Sequence, residues 1–241
     1  MKPVTAGRVR ARIESVLDWA KARGYRQGEN PARWRGHLEN LLSSRVHKVR
    51  HHPALSYDQV GAFLVELRRH SGVRALAMEF AVLTAARSSE VLGAEWSEID
   101  GNVWTISAGR TKTGKVHRVP LSAPALRVLD QVRRDGAFVF PGPGDPGQPL
   151  GDDALRGMLR RMGRSDITTH GFRSAFRDWA AERTNYPNEV AEMALGHAIR
   201  SQVEAAYRRG DLIDKRRRLM ADWAAFCAAS MPAGEIVPIR R

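Results

Sequence analysis

Six polar residues between Arg87 and Tyr207 have the types and order needed to move a phosphoryl group. Arg87 lies in TAARSSEVLGAEW with Glu90 three positions on, Lys112 in GRTKTGKVHRVPL, His170 and Arg173 in HGFR, His197 in ALGH and Tyr207 in EAAYRR. Attack on a DNA phosphodiester gathers negative charge on the non-bridging oxygens, which planar guanidinium forks match better than a point charge does. A tyrosine hydroxyl can attack phosphorus when its surroundings lower the cost of the phenolate, whose reference pKa is about 10. His170 and Arg173, three apart at a helix start, can point into one cleft where the helix N-terminus favours an anion.

Each of these residues also has a plainer use. Arg87 and Glu90 share a face and could simply be an interhelix ion pair. Lys112 stands in a loop with two glycines, two threonines and a second lysine, Lys115, which is its rival. His170 could cap a helix beside a solvated Arg173. His197, after Gly196, fits a helix C-terminus, and Tyr207 could be an ordinary amphipathic-helix tyrosine. The other tyrosines, Tyr25, Tyr57 and Tyr186, lie in no comparable context.

Taken in order, the motifs resemble those of the tyrosine recombinases, the phage-type integrases in particular. The resemblance runs from roughly residue 50 to 228 and, more weakly, over the first 45 residues. It implies a site-specific DNA recombinase working through a 3′-phosphotyrosine intermediate. Tyr207 would be the nucleophile, Arg87 and Arg173 the phosphate clamp, and Glu90 the residue that steadies Arg87. His197 would hydrogen-bond the phosphate, His170 would accept or share the tyrosine proton, and Lys112 would protonate the departing 5′ oxygen. The resemblance implies double-stranded DNA as partner, a homotetramer on DNA from a monomer in solution, and neither metal nor cofactor. Two other outcomes stay open: a type IB topoisomerase, for which the chain is short, and a non-catalytic, truncated DNA-binding protein that keeps the fold.

Composition agrees with an anionic partner. The 241 residues carry a net charge of +13 and a sequence pI near 10.9, and such a surface attracts polyanions. Its basic side chains are almost all arginine, with six lysines in all. Hydrophobic residues at 43% suffice for a real core, enough for one large domain or a domain with a smaller neighbour. One cysteine, Cys227, excludes an intramolecular disulfide and a cysteine zinc cluster, and its place on an apolar helix stripe marks it as a buried thiol. No apolar run is long enough to span a bilayer and no signal-peptide pattern is present, so the expected location is the cytoplasm, at the nucleoid when bound to DNA.

The elements that must position these residues read as mainly α with a small antiparallel β-sheet, an α+β fold. Residues 1–45 are expected to be part of a helical core-binding domain whose front half is absent, with one helix over 8–23 and a shorter one through HLENLL. Seven arginines, from Arg8 to Arg35, would give this unit a phosphate-contacting surface. Residues 46–55 read as a linker, and its His47, His51 and His52 as solvated rather than metal-binding.

A catalytic domain is expected over 56–230 and a flexible tail over 231–241. Ser56 and Gln59 read as a capping box, and residues 73–86 as a central apolar helix. Strands are expected at Val103–Ile106, Val116–Val119 and Phe138–Phe140, and helices from Ser122 to about Arg134 and from Asp152 or Asp153 to about Met162. Thr169 is expected to cap the helix of His170 and Arg173. A helix from Asn188 ends at Gly196-His197, another carries Tyr207, and a last one covers about 212–229 with Lys215 to Arg218 on its other face, solvated or near phosphate.

Overall fold

The almost unbroken apolar run from Val73 to Thr84 has no polar face to offer water, so other elements must surround it. It forms α4 (Val73–Thr84), whose Ala77, Met78, Phe80, Val82 and Leu83 are all buried. The computed structural model describes residues 3–42, 54–197 and 210–229. The chain divides into two compact units, Met1–His51 and His52–Arg241.

In the smaller unit, α1 (Pro3–Ala22) begins earlier than its apolar periodicity predicts and stops before Gly24, which takes φ +74°. The expected second helix shrinks to α2 (Glu39–Leu41) after an irregular turn at Trp34–Leu38, because Gly36 at φ +73° breaks the helical path. Buried Asn30 ties this turn to α1, donating to the Glu14 carbonyl at 2.8 Å and to Asp18 at 2.7 Å. Two of the expected surface arginines are engaged internally: Arg10 pairs with Glu14, and Arg33 with Glu29. Val9, Ile13, Val16 and Trp19 remain exposed, as expected of a unit too small to bury its own stripe.

The larger unit opens with a 3-10 turn at Tyr57–Gln59 that runs into α3 (Val60–Leu67). The expected capping box does not form: Ser56 makes no side-chain cap, and its carbonyl accepts from the Gln59 N–H at 3.0 Å in the tighter turn. After α4, Ala85 turns left-handed at φ 50°, ending the helix three residues short of α5 (Ser88–Leu92). Three antiparallel strands follow, β1 (Ile99–Asp100), β2 (Val103–Ile106) and β3 (His117–Pro120), in the order β1-β2-β3. Trp104 pairs with Val119 and Ile106 with His117, so alternate residues of the hairpin face the core.

The short run Phe138–Phe140 is not a strand. It makes a single bridge, Glu95 with Phe138, and Pro141 follows at once with no N–H to extend a ladder. The next helices are α6 (Ala123–Asp130), α7 (Ala154–Arg161), α8 (Thr169–Arg183) and α9 (Asn188–Ala194). The last, α10 (Ile213–Ala228), packs its apolar stripe on this chain's own core: Leu219, Met220, Trp223 and Cys227 are buried. The Trp223 indole donates to the Val82 carbonyl at 2.9 Å, and its ring lies among Phe176, Trp179 and Phe226. Burial pushes the Cys227 thiol up, as a core cysteine requires.

One residue of the expected basic cluster is misplaced by the helical pattern. Arg216 is 2% exposed, donating to the Asp211 carbonyl and the Arg118 carbonyl and pairing with the Asp211 carboxylate at 2.9 Å. These acceptors come from β3 and from the turn before α10, so α10's own sequence gives no sign of them. Among the described residues no helix is long and apolar enough to cross a membrane, and no cluster of metal-ligand residues occurs.

Candidate active site

Helix ends, rather than helix faces, assemble the polar cluster. Arg87 is the residue just before α5, with extended backbone, and its own N–H donates to Glu90 Oε2 at 2.8 Å. Its guanidinium reaches the other carboxylate oxygen of Glu90 at 2.7 Å. Glu90 is 1% exposed while Arg87 is half-buried, so the carboxylate of the pair is cut off from water. Removing one partner from such a pair costs about 3–5 kcal/mol, because the other charge is left stranded.

Arg173 comes from the first turns of α8. The helix is capped by Thr168, one residue before the expected Thr169: the Thr168 hydroxyl accepts from the Gly171 N–H at 3.1 Å. Arg173 is 5% exposed, and its guanidinium donates to the Ala85 carbonyl and, at 2.7 Å, to the Leu195 carbonyl. Its Nε–H finds no acceptor among the described residues. Burial and the nearby Arg87 push its pKa down to about 10, so it keeps its charge at neutral pH.

Both arginines converge on one turn. Arg87 donates to the Gly196 carbonyl at 3.1 Å and Arg173 to Leu195, the two residues that end α9 and lead into His197. Two adjacent guanidinium groups repel; the C-terminal carbonyls of α9 and the Glu90 carboxylate offset this, yet the cluster keeps a positive excess. Gly196 takes φ +61°, and a Cβ there would sit 3.2 Å from the His117 ring and 3.4 Å from Arg87 Nη1. The expected glycine stop is therefore also a point of close packing.

His197 lies in the same cluster, its Nε2 3.3 Å from Arg173 Nη2 and its Nδ1 2.7 Å from Glu192 Oε2. A guanidinium can only donate, so Nε2 faces it with a lone pair and the ring proton sits on Nδ1, directed at Glu192. Glu192 also accepts from Arg177 Nε at 2.5 Å. Burial works to raise the Glu192 carboxyl, but the hydrogen bonds from His197 and Arg177 outweigh it and hold it below its ordinary value.

The other expected residues stand as follows. His170 is exposed in the first turn of α8, one turn from Arg173. Lys112 is exposed at the tip of the β2–β3 loop and forms no hydrogen bond or ion pair among the described residues. That loop is closed by buried Thr111, whose hydroxyl donates to the Lys115 carbonyl at 2.7 Å. A cleft of about 370 Å³ opens beside Ser88 and Thr169, the neighbours in sequence of Arg87 and His170. Tyr207 and its expected helix lie outside the described residues, as do 46–53 of the expected linker and the 231–241 tail.

Residues 53–211, more than half of the chain, match the phage integrase family. This chain belongs to the phage integrase family. Residues 1–37 match the phage integrase central domain. Prophage integrase IntA of Escherichia coli K12 is 34% identical over 194 residues, covering 77% of this chain and 46% of the relative. The integrase of enterobacteria phage P4 is 30% identical over 244 residues, covering 92% of this chain and 54% of the relative. The chain thus spans about half the length of these curated relatives.

Among solved structures, a lambda integrase dimer bound to a COC' core site gives a TM-score of 0.59 at 20% identity, over 81% of this chain and 72% of that one. A lambda integrase tetramer bound to a Holliday junction gives 0.61 at 18% identity, over 87% and 62%. The integrase fold, mainly helical with its three-stranded antiparallel sheet, is therefore shared.

Two residues of this cluster lie outside the motif pattern, His117 and Glu192. His117 pairs with Ile106 and lies on the same strand face as Val119, an inward position that the alternation already marks. Its ring contacts the Gly196 turn, and burial together with Arg216 pushes its pKa down to about 4. His117 is thus neutral in the folded protein at pH 5, while an unfolded histidine, with pKa about 6.5, is charged there. The unfolded chain then binds the extra proton, so stability is full above about pH 6.5 and falls by about 3 kcal/mol as pH drops towards 4. Urea unfolding followed from about pH 7 to about pH 4.5 should show this loss, and His117→Asn should flatten the slope. An equal slope in the variant would remove His117 from the explanation.

Proposed function

We propose that this chain is the catalytic part of a site-specific DNA recombinase, with residues 56–230 as the catalytic domain. Residues 1–45 would form part of the core-binding domain and 46–55 the linker between them. One observation carries the reading: Arg87 and Arg173, 86 positions apart, converge on the Leu195–Gly196 turn beside His197. A clamp of two guanidinium groups with a buried, unsatisfied Nε–H is suited to a phosphodiester whose charge grows at the transition state. The net charge of +13 and the family membership support double-stranded DNA as the partner.

In the proposed reaction the Tyr207 oxygen attacks the scissile phosphorus and the bond from phosphorus to the 5′ oxygen breaks. The DNA is left joined through its 3′ phosphate to Tyr207, and the freed strand carries a 5′ hydroxyl. Arg87, Arg173 and His197 hold the phosphoryl oxygens, His170 takes the phenol proton, and Lys112 gives one to the departing oxygen. A 5′ hydroxyl from a second strand reverses the step. One ester replaces another, so the bond energy is kept. Exposed Lys112 lies on a loop tip, a position from which a flexible ammonium can approach bound DNA. A homotetramer on DNA would pair two such exchanges.

The test is incubation with a library of nicked duplexes with randomised cores, in which the freed strand end diffuses away and traps the intermediate. A denaturant-resistant protein–DNA species is the expected result. Binding without that species would favour a non-catalytic DNA-binding protein, and relaxation of supercoiled DNA without strand exchange would favour a topoisomerase.

A further inference from the structure

Glu192 has no counterpart in the six-residue pattern, yet it is the residue that grips the far side of His197. It lies in the last turn of α9, and its carboxylate spans two partners, Nδ1 of His197 at 2.7 Å and Nε of Arg177 on α8 at 2.5 Å. The opposite ring nitrogen, Nε2, points at Arg173. An imidazole has two nitrogens with opposite roles in its neutral form, so whatever holds one dictates what the other can do. Here a carboxylate, which can only accept, holds Nδ1, and a guanidinium, which can only donate, faces Nε2.

We propose that Glu192 is a positioning residue for His197: it fixes the ring through Nδ1–H so that Nε2 faces Arg173 and the place of a phosphoryl oxygen. This rests on the phosphoryl-transfer reading of the cluster. To donate to that oxygen, Nε2 takes up a proton from solvent, and the ring becomes an imidazolium whose charge the Glu192 carboxylate balances across the Nδ1 hydrogen bond. Without the carboxylate the ring can rotate away, or settle in the other tautomer, whose neutral Nε2–H donates without the positive charge that the Glu192-paired ring brings to the phosphoryl oxygen. Carboxylates that orient a histidine through its far nitrogen are worth about tenfold to a hundredfold in function at metal sites, and the same range is expected here.

The discriminating variant is Glu192→Gln in the full chain. Arg177 Nε donates and therefore claims the amide oxygen, which turns the amide NH₂ towards the ring. Nδ1 must then accept, and the ring proton moves to Nε2. With histidine-labelled protein, ¹⁵N spectra of the His197 ring without DNA are expected to show a protonated Nδ1 in the parent and a protonated Nε2 in E192Q. At saturating nicked-duplex library, adduct formation is expected to fall about tenfold to a hundredfold, while the duplex concentration at half-saturation changes little.

Arg177→Leu separates this from a merely structural ion pair. It leaves Glu192 on the ring, so the parental ring pattern is expected, and the double variant E192Q/R177L, whose amide is free to turn, is expected to recover it. An unchanged ring pattern in E192Q, or equal damage from R177L alone, would overturn the proposal. If E192Q melts too early to measure, R177L and the parent spectrum still decide. If the parent makes no adduct at all, the recombinase reading fails, while the ring spectra still report on Glu192.

Discussion

Tyr207→Phe is expected to abolish the covalent protein–DNA species while leaving binding to the same duplexes nearly unchanged. The variant removes one oxygen, the atom that would bond to phosphorus, and none of the three tyrosines among the described residues is suited to replace it. Tyr57 donates to Glu182 at 2.8 Å, a hydrogen bond that raises its pKa and keeps the phenol neutral. Tyr186 donates to Asp222 at 2.7 Å, and burial with that carboxylate pushes it up to about 12. Tyr25 is 76% exposed in the smaller unit, its ring against Trp19. A phenol whose pKa is raised by a fixed neighbouring carboxylate is a poorer nucleophile, since its phenolate is harder to form. Gel separation under denaturing conditions reads the outcome. Adduct surviving in the variant would move the nucleophile elsewhere.

The second large effect is expected of Arg173→Lys, which keeps the charge and loses the fork. Arg173 reaches the Ala85 and Leu195 carbonyls in two directions, and its Nε–H is buried without an acceptor among the described residues. A lysine ammonium at the end of a flexible stem cannot serve both carbonyls and a phosphoryl oxygen, so the phosphoryl oxygen loses its preorganised donor. Removing one such donor costs about 2.7–4 kcal/mol at the transition state, or about 100- to 1,000-fold in the rate of adduct formation. One buried carbonyl is also left unpaired, at about 1–3 kcal/mol of stability, which should lower the melting temperature by several degrees. Rates must therefore be compared well below that transition. A rate within about twofold of the parent would mean that the guanidinium serves packing and not phosphate.

Much of the scaffold was legible because it depends on periodicity. The run from Val73 to Thr84 had to be a central helix, and the alternation around Trp104 and Ile106 had to be a strand. Both features are local. What failed was decided by partners distant in sequence. Arg216 reads as a member of a basic surface cluster until the Arg118 carbonyl, 98 positions away, is brought to it. Phe138–Phe140 reads as a strand, but its neighbours offer only one bridge.

The site divides in the same way. Motif order named Arg87, Glu90, Arg173 and His197, which the fold brings together, and Lys112, which it leaves exposed on its loop. His117 was within reach of the sequence, since a histidine on the core face of a strand is a conspicuous oddity. Glu192 was not, because a five-residue spacing across a helix end matches no face of a helix, and only the turn at Gly196 brings the carboxylate and the ring together.

The most direct measurement is to isolate the trapped adduct, digest protein and DNA, and identify the joined peptide and nucleotide by mass spectrometry. The chemistry set out above predicts a peptide carrying Tyr207 esterified to a 3′ phosphate, with a 5′ hydroxyl on the released strand. A link through any other side chain, or through a 5′ phosphate, would contradict it.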